Sequence, residues 1–304
     1  MKDFRQSAQH VNYLKETGWL VEKLGGSFVF IRRLPLIPVS VLKIQRPEKL
    51  PDFSKIDQLA RKHRAISVTI EPTNRNQVPM KSRIPPALPR VLGTTGIGEV
   101  GRLKIRNYGY KLSKSPYLPT KTIQLDLAQS QESLLAQMKK DARYSLRKIG
   151  CRSNCFEAKN EKEIERFYRA WRRAVGWRKL IPSLKNIKIL KKSFGQNAFF
   201  LAFKKEEIVA GTIILIAQET AYYYYAFTNP EGRKLLAQSG LVWEAIKKAK
   251  KKGCLIFDFE GIFDSRFPVK SWRGFSHFKK SFGGKEVDYP GCFKKNWLSS
   301  RRRR

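Results

Sequence analysis

The chain of 304 residues has few cysteines and histidines, and both shortages exclude a class of site. Its four cysteines are too few for a disulfide-stabilised scaffold and are typical of reduced thiols. Cys151 and Cys155 lie close in sequence, but no histidine or second cysteine pair stands nearby to complete a zinc site. The three histidines, His10, His63 and His277, are scattered along the chain, and no two of them stand at metal-ligand spacing. We therefore expect no metal site.

Long apolar runs are also missing. The most apolar stretch, residues 28–42, is interrupted by Arg32, Arg33 and two prolines, so it cannot span a membrane. The N-terminal residues lack the apolar core of a signal peptide. We expect a soluble, monomeric, cytoplasmic protein and leave open a peripheral contact with the inner face of an anionic membrane.

Acidic residues are scarce as well, which leaves a large basic excess. The chain has 62 Lys and Arg against 25 Asp and Glu, a formal charge of +37. A folded protein this basic repels itself unless it binds a polyanion, such as nucleic acid, anionic lipid or a phosphorylated substrate. The alternative is a generally basic proteome. The tail Arg301–Arg304 fits either a polyanion-binding segment or a disordered end.

The spacing of apolar residues predicts an α+β chain. The first half predicts a hairpin around Gly25-Gly26, then a strand, a helix and a strand, over residues 39–44, 53–63 and 65–71. The second half predicts one long helix over 130–149 and another capped by Asn160. An antiparallel meander, a helix and a buried strand follow, over 198–203, 208–216, 221–227, 241–250 and 255–259.

This second order of elements resembles the acetyltransferase fold of the GCN5-related type, and the first half repeats it coarsely. We therefore predict two acetyltransferase-like domains with mixed β-sheets flanked by helices. The first spans residues 1–120 with an irregular loop over 74–118, and the second spans 121–290. Residues 291–304 are predicted to form a basic C-terminal tail.

Three local patterns have a plain structural interpretation. Gly96–Gly101 has dinucleotide-fingerprint spacing, but no strand leads into it and no striped helix follows, so a loop is favoured. Hence we expect no cofactor. The basic helix face of Lys139, Arg143 and Arg147 fits a solvated helix end or a phosphate-binding surface. The run Tyr222–Tyr225 alternates across a strand, so one face packs and the other can line a groove.

The C-terminal segment from Asp258 to Phe293 carries a more specific pattern. An acidic strand end is followed by Gly-Ile, a variable loop, Phe278-Lys279, a spacer and Phe282-Gly283-Gly284. This segment closely resembles the C-terminal signature of the Fem-type family (FemA, FemB, FemX), the aminoacyltransferases of peptidoglycan interpeptide bridges. The likeness is nearly continuous from Thr120 onward and patchy before it.

The resemblance implies a transferase with aminoacyl-tRNA as co-substrate and a peptidoglycan precursor, nucleotide-linked or lipid-linked, as acceptor. It implies that Phe278 and Lys279 lie near the reacting carbonyl and that Tyr225 contacts substrate. Lys15 corresponds to a phosphate-binding lysine, and Arg143 and Arg147 to the family's Arg-x-x-x-Arg.

Some positions depart from the family pattern. His10 stands where the family usually has Trp, and Glu260 replaces the first Gly after the acidic strand end. No long helical hairpin is inserted, which resembles the compact FemX-like form.

The chemistry agrees with this interpretation. The donor ester is already activated, so no covalent enzyme intermediate is required, and Lys279 can stabilise the developing oxyanion. Asp258, Glu260 or Asp264 can orient the attacking ammonium or accept its proton, as can a substrate group, so no base is assigned. Two alternatives stay open: a transferase of this fold acting on a lipid, protein or peptide, and a non-catalytic basic nucleic-acid-binding protein.

Overall fold

The computed structural model describes residues 3–73, 105–149, 154–176, 180–204 and 206–297. Most of the predicted loop 74–118, the Gly96–Gly101 motif, Cys151 and the tail Arg301–Arg304 lie outside these ranges. Contacts divide the chain into two compact units. One comprises residues 1–121, 264–268 and 288–304, and the other comprises 122–263 and 269–287. The chain therefore returns to the first unit twice, whereas the sequence pattern predicts continuous domains.

The first unit contains two long helices and a six-stranded sheet. Its described elements are α1 (Ala8–Glu16), β1 (Leu20–Leu24), β2 (Ser27–Arg33), β3 (Ser40–Gln45), α2 (Phe53–Lys62), β4 (Ala65–Glu71), β5 (Lys111–Leu112) and the last strand of the chain, β13 (Phe293–Asn296). The strand order is β1-β2-β3-β4-β13-β5, with β3 and β4 parallel. α2 connects these two parallel strands. Asp52 caps it by accepting from the N–H groups of Ser54 and Lys55.

The core of this unit lies between α2 and the sheet. The spacing of Phe53, Ile56 and Leu59 puts them on one helix face, where all three are buried. Phe293 of β13 joins the same cluster and is 2% exposed. Residues 293–296 are thus a strand, although the sequence pattern assigns them to a tail. Burial of the Phe293 ring and pairing with both β4 and β5 hold this segment in the sheet, which its basic composition does not reveal.

The second unit is built on a seven-stranded sheet. Its described elements are β6 (Lys121–Asp126), α3 (Gln131–Ala136), α4 (Lys140–Ile149), β7 (Cys155–Glu157), α5 (Glu161–Val175), α6 (Leu184–Phe194), β8 (Ala198–Lys204), β9 (Ile208–Ala217), β10 (Thr220–Thr228), α7 (Pro230–Lys234), α8 (Ala237–Lys251), β11 (Ile256–Asp258), α9 (Trp272–Lys280) and β12 (Lys285–Asp288). The strand order is β12-β6-β11-β10-β9-β8-β7, with β10 and β11 parallel. Every residue of β9 is buried, which suits the middle strand of the meander.

In this unit, a segment predicted as one helix forms two helices in the structure. The pattern over residues 130–149 predicts a continuous helix, but α3 ends at Ala136 and α4 begins at Lys140. Hydrogen bonds from elsewhere replace the helical ones at the break. The Lys139 N–H donates to the Ser281 carbonyl at 2.8 Å, and the Arg143 guanidinium donates to the Ala136 and Met138 carbonyls at 3.1 and 2.5 Å.

Candidate active site

The second unit contains a cleft where β10 and β11 part. The two strands pair only over Thr220–Tyr222 and Ile256–Asp258, after which β11 ends and β10 continues to Thr228. The space has a volume of about 650 Å³. It is lined by residues from β10, the turn after β11, and the ends of α5, α7, α8 and α9, among them Tyr223, Tyr224, Gln238, Glu260, Phe275, Phe278 and Lys279. We call this space the cleft.

A β-bulge shapes the β10 wall of the cleft. The register with β9 shifts between Tyr223, opposite Ile214, and Tyr225, opposite Ile213. Both Tyr223 and Tyr224 line the cleft, although strict alternation would put neighbours on opposite faces. Gln238 of α8 donates to the Tyr223 hydroxyl at 2.6 Å.

Tyr225, for which the family resemblance implies a substrate contact, packs against two aromatic rings. Its ring lies 5.1 Å from the Trp171 ring and 4.3 Å from the Tyr224 ring, centroid to centroid, and it is not among the residues lining the cleft. Tyr223 and Tyr224, by contrast, line the cleft.

Lys279 lies on α9 at the wall of the cleft and is 8% exposed. Its ammonium donates to the carbonyl oxygens of Phe259 and Gly261 at 2.6 and 2.7 Å. Burial lowers the pKa of Lys279 to about 8, and the charges of Glu260 and Asp258 oppose this shift. An ammonium has three N–H donors, so these two hydrogen bonds leave one for a group in the cleft.

Asp258 supports the turn that holds Lys279. Its carboxylate is 1% exposed and accepts from the Thr122 hydroxyl at 2.6 Å, the Gln124 amide at 2.8 Å and the Glu260 N–H at 2.7 Å. Burial raises the pKa of Asp258 to about 6, and the Glu260 charge adds to the rise, while these hydrogen bonds oppose it. Asp258 is not among the residues lining the cleft, so its position suits holding the turn in place.

Glu260 combines a cleft position with an unusual backbone. Its φ is +54°, in the left-handed region that glycine adopts at little cost. The Fem-type pattern has glycine at this position. Glu260 therefore has the backbone conformation expected of that glycine, and the chain differs from the pattern in the added carboxylate side chain. The structure thus places one carboxylate in the cleft near Lys279.

The remaining predicted residues lie elsewhere. Phe278 is half-buried, lines the cleft and packs edge-on against Phe282 at 5.3 Å between ring centroids. Arg143 bonds the carbonyls at the α3–α4 break, and Arg147 is exposed in the last turn of α4. Lys15 is exposed near the end of α1 in the first unit.

Asp264 belongs to the first unit and is buried. It accepts from the Thr120 hydroxyl at 2.6 Å and pairs with Arg266 at 2.7 Å. Hydrogen bonds from Arg266 and Thr120 lower its pKa, against the opposing effect of burial. This pairing makes Asp264 a structural carboxylate rather than a cleft residue.

Three residues escape prediction from sequence. Gln238 lines the cleft, and Thr122 and Gln124 hold Asp258. The only signal for the last two is that they are polar and stand at i and i+2, on the face of the strand opposite Ile123 and Leu125. Within the described part of the chain, no group of three or more His, Cys, Asp or Glu side chains could hold a metal ion. None of the described helices is long and apolar enough to cross a bilayer.

Solved structures share the fold of both units. A crystal structure of FemX aligns with 98% of this chain and 93% of its own length, with a TM-score of 0.73 and 14% identity. L-PGS from Bacillus licheniformis aligns with 97% of this chain and 90% of its own, with a TM-score of 0.59 and 10% identity. A tandem GNAT protein from the clavulanic acid biosynthesis pathway aligns with 90% of this chain and 81% of its own, with a TM-score of 0.53 and 11% identity.

These likenesses confirm the predicted fold class, two acetyltransferase-like units with mixed sheets flanked by helices. The family model of the FemAB family matches residues 156–298, which include the C-terminal motif that carries the predicted resemblance. No curated protein sequence matches the chain.

Proposed function

We propose that this protein transfers an amino acid from aminoacyl-tRNA to the stem peptide of a peptidoglycan precursor. The observation that carries the proposal is Lys279, a buried cation at the wall of the cleft, within the FemAB region. A fixed ammonium in a water-poor site is suited to a carbonyl oxygen that becomes negative during acyl transfer.

The proposed reaction is aminolysis of an ester. The acceptor amine attacks the ester carbonyl carbon, a C–N bond forms, and the C–O bond to the tRNA ribose breaks. The proton lost by the amine ends on the ribose oxygen or in solvent. Lys279 donates its third N–H to the carbonyl oxygen while that oxygen carries the negative charge, and the two backbone carbonyls keep the ammonium in place.

The other cleft residues have supporting roles in this proposal. Glu260 is the carboxylate that lines the cleft, so it is suited to orient the acceptor ammonium before that group loses a proton and attacks as the amine. The rings of Tyr223 and Phe275 lie within 5.6 and 4.9 Å of the Lys279 nitrogen, so they limit its contact with water. Much of the rate enhancement then comes from holding donor and acceptor together.

The basic excess supports a polyanionic donor. The formal charge of +37 suits both the tRNA backbone and the diphosphate of a precursor. We propose no bound cofactor, because the ester supplies the activated acyl group.

The deciding experiment supplies radiolabelled aminoacyl-tRNAs with the nucleotide-linked pentapeptide or its lipid-linked form. Label should appear on the precursor, and Lys279→Ala should lower the transfer rate by about 100- to 1000-fold. Lys280→Ala is the matched control, because its ammonium pairs with Glu286 at 2.6 Å instead of facing the cleft. It should retain nearly full activity, and circular dichroism should show both variants folded.

Other results would favour the alternatives. Label on a lipid, protein or free peptide would keep the transferase and change the acceptor. Tight tRNA binding without transfer from any aminoacyl-tRNA would favour a nucleic-acid-binding protein.

A further inference from the structure

The loop between β2 and β3 in the first unit presents two aliphatic side chains to water. Leu36 is 103% exposed and Ile37 is 52% exposed, and we call this pair the apolar tip. Pro35 and Pro38 flank it and are exposed as well. Adjacent exposed aliphatic residues at the end of a loop add nothing to the core, whereas they are typical of a surface that binds an apolar partner.

The backbone of the tip is also unfavourable for the isolated fold. Leu36 has φ of +69°, a left-handed conformation that a residue with a branched side chain seldom adopts. A glycine or asparagine would suit this position better. An exposed leucine in a strained conformation therefore points to a role other than stabilising the unit.

Four of the six residues 34–39 present no free backbone donor. Pro35 and Pro38 have no N–H, and the N–H groups of Leu34 and Val39 donate to Val39 and Ile37 carbonyls at 2.9 and 2.8 Å. Unsatisfied backbone donors are what make a loop costly to move into a lipid environment. The two prolines also restrict the loop before it binds, so little conformational entropy is lost on docking.

Exposed cations surround the apolar tip. Arg33 ends β2, and Arg64 precedes β4, whose start lies beside Ser40. Arg33, Ile37 and Arg64 line one surface depression of about 280 Å³, together with Lys62 and His63. Glu22 offsets part of this charge by pairing with Lys62 at 2.9 Å and His63 at 2.6 Å. Arg33 and Arg64 are both exposed, so the surface stays cationic.

We propose that the apolar tip and these two arginines form a docking surface for an anionic lipid bilayer. Leu36 and Ile37 enter the boundary between headgroups and acyl chains, while Arg33 and Arg64 contact lipid phosphates. A nucleic acid would contact the arginines but not the aliphatic side chains. An apolar peptide would contact the aliphatic side chains but not the arginines. The combination of an apolar tip and adjacent cations fits a charged bilayer.

The test is sedimentation of the full-length protein with vesicles of equal parts phosphatidylglycerol and phosphatidylcholine, or of phosphatidylcholine alone. Wild type should bind the anionic vesicles far more strongly than the neutral ones. Leu36→Ser with Ile37→Ser should lower the partition coefficient by at least about tenfold. Arg33→Gln with Arg64→Gln should lower it by about fivefold for each charge.

Matched controls lie at the opposite end of the same sheet. Leu112, 43% exposed on β5, pairs opposite Phe293, which in turn pairs with Ile70 near the far end of β4. Leu112→Ser controls for loss of an exposed aliphatic residue. Lys111→Gln with Lys114→Gln controls for the loss of two positive charges, because both lysines are exposed. Both controls should bind the anionic vesicles nearly as well as wild type.

Three results would overturn the proposal. They are no binding to anionic vesicles, unchanged binding after removal of the apolar tip, and equal loss in the tip and control variants. The last would mean that binding does not depend on this particular surface. Transfer to the nucleotide-linked precursor should be unaffected by removal of the apolar tip, so this test is independent of the proposed chemistry.

Discussion

The hydroxyl of Thr122 donates a 2.6 Å hydrogen bond to the Asp258 carboxylate, which links the first strand of the second sheet to the end of β11. The same Thr122 oxygen accepts from the Gly261 N–H at 3.2 Å. One side chain thus bonds both ends of the turn whose carbonyls hold Lys279. We expect the geometry at Lys279 to depend on a residue that does not line the cleft.

Thr122→Val tests this dependence. It removes one hydrogen bond to a buried carboxylate and leaves the Gly261 N–H without its acceptor, so the free energy of unfolding should fall by about 1–3 kcal/mol. The transfer rate at saturating substrate should fall more than substrate affinity, since the lysine rather than the binding surface is displaced.

Thr122→Ser keeps the hydroxyl and is the control. Urea unfolding and steady-state kinetics would measure both effects. A loss in the serine variant as large as in the valine variant would show that the hydroxyl alone does not hold the turn.

The pKa of Lys279 predicts a pH dependence of transfer. Burial lowers this pKa from 10.5 to about 8, so the ammonium is present below that pH and is lost as the pH rises through it. If the protein has the proposed function, its transfer rate should therefore decline above about pH 8, even though more of the acceptor amine is deprotonated there.

Lys279→Arg separates the two effects, because a guanidinium stays protonated over this range. This variant should be slower at its optimum but should not show the decline. A decline at the same pH in both proteins, measured as kcat against pH, would assign it to another group.

Two glycines should respond to alanine in opposite ways. Gly284 has φ of +89°, and a Cβ there would lie 2.6 Å from the Gln124 carbonyl oxygen and 2.7 Å from Leu125. Gly284→Ala should lower the free energy of unfolding by about 2–4 kcal/mol, because backbone must move to relieve the contact. Thermal or urea unfolding would measure this.

Gly274 is the comparison. It lies within α9, and a Cβ there would meet nothing within 4 Å. Gly274→Ala should raise stability by about 0.5–1 kcal/mol, since alanine loses less backbone entropy in a helix. A similar loss in both variants would argue against the close packing of the Gly283-Gly284 turn.

The regular elements follow closely from local sequence. The strand Ala65–Glu71 has the predicted bounds, and the meander strands lie within a few residues of theirs, because their apolar patterns match the burial that the sheets impose. α6 has a visible stripe of Ile187, Leu190 and Phe194 behind the Ser183 cap, yet no helix is predicted there from the sequence. The α3–α4 break has no local signal, because its bonds come from Ser281 and from the Arg143 side chain.

The residues of the site also divide into those that local sequence predicts and those that only the fold brings together. Lys279 and Phe278 follow from a short motif, since the glycine turn and the helix before it are close in sequence. Thr122 and Gln124 stand 136 and 134 residues from Asp258, and only the pairing of β6 with β11 brings them together. The bulge in β10, which makes Tyr223 and Tyr224 the cleft tyrosines instead of Tyr225, also depends on pairing with β9.

By itself the sequence determined the FemAB signature, the basic excess and most helices and strands, because motif, charge and periodicity are properties of neighbouring residues. Only the tertiary structure decided that Lys279 is buried against two carbonyls, that Asp258 sits behind it, and that the turn between them is held from β6. Desolvation sets the pKa of both groups, and it depends on what the fold packs around them rather than on the residues beside them in the chain.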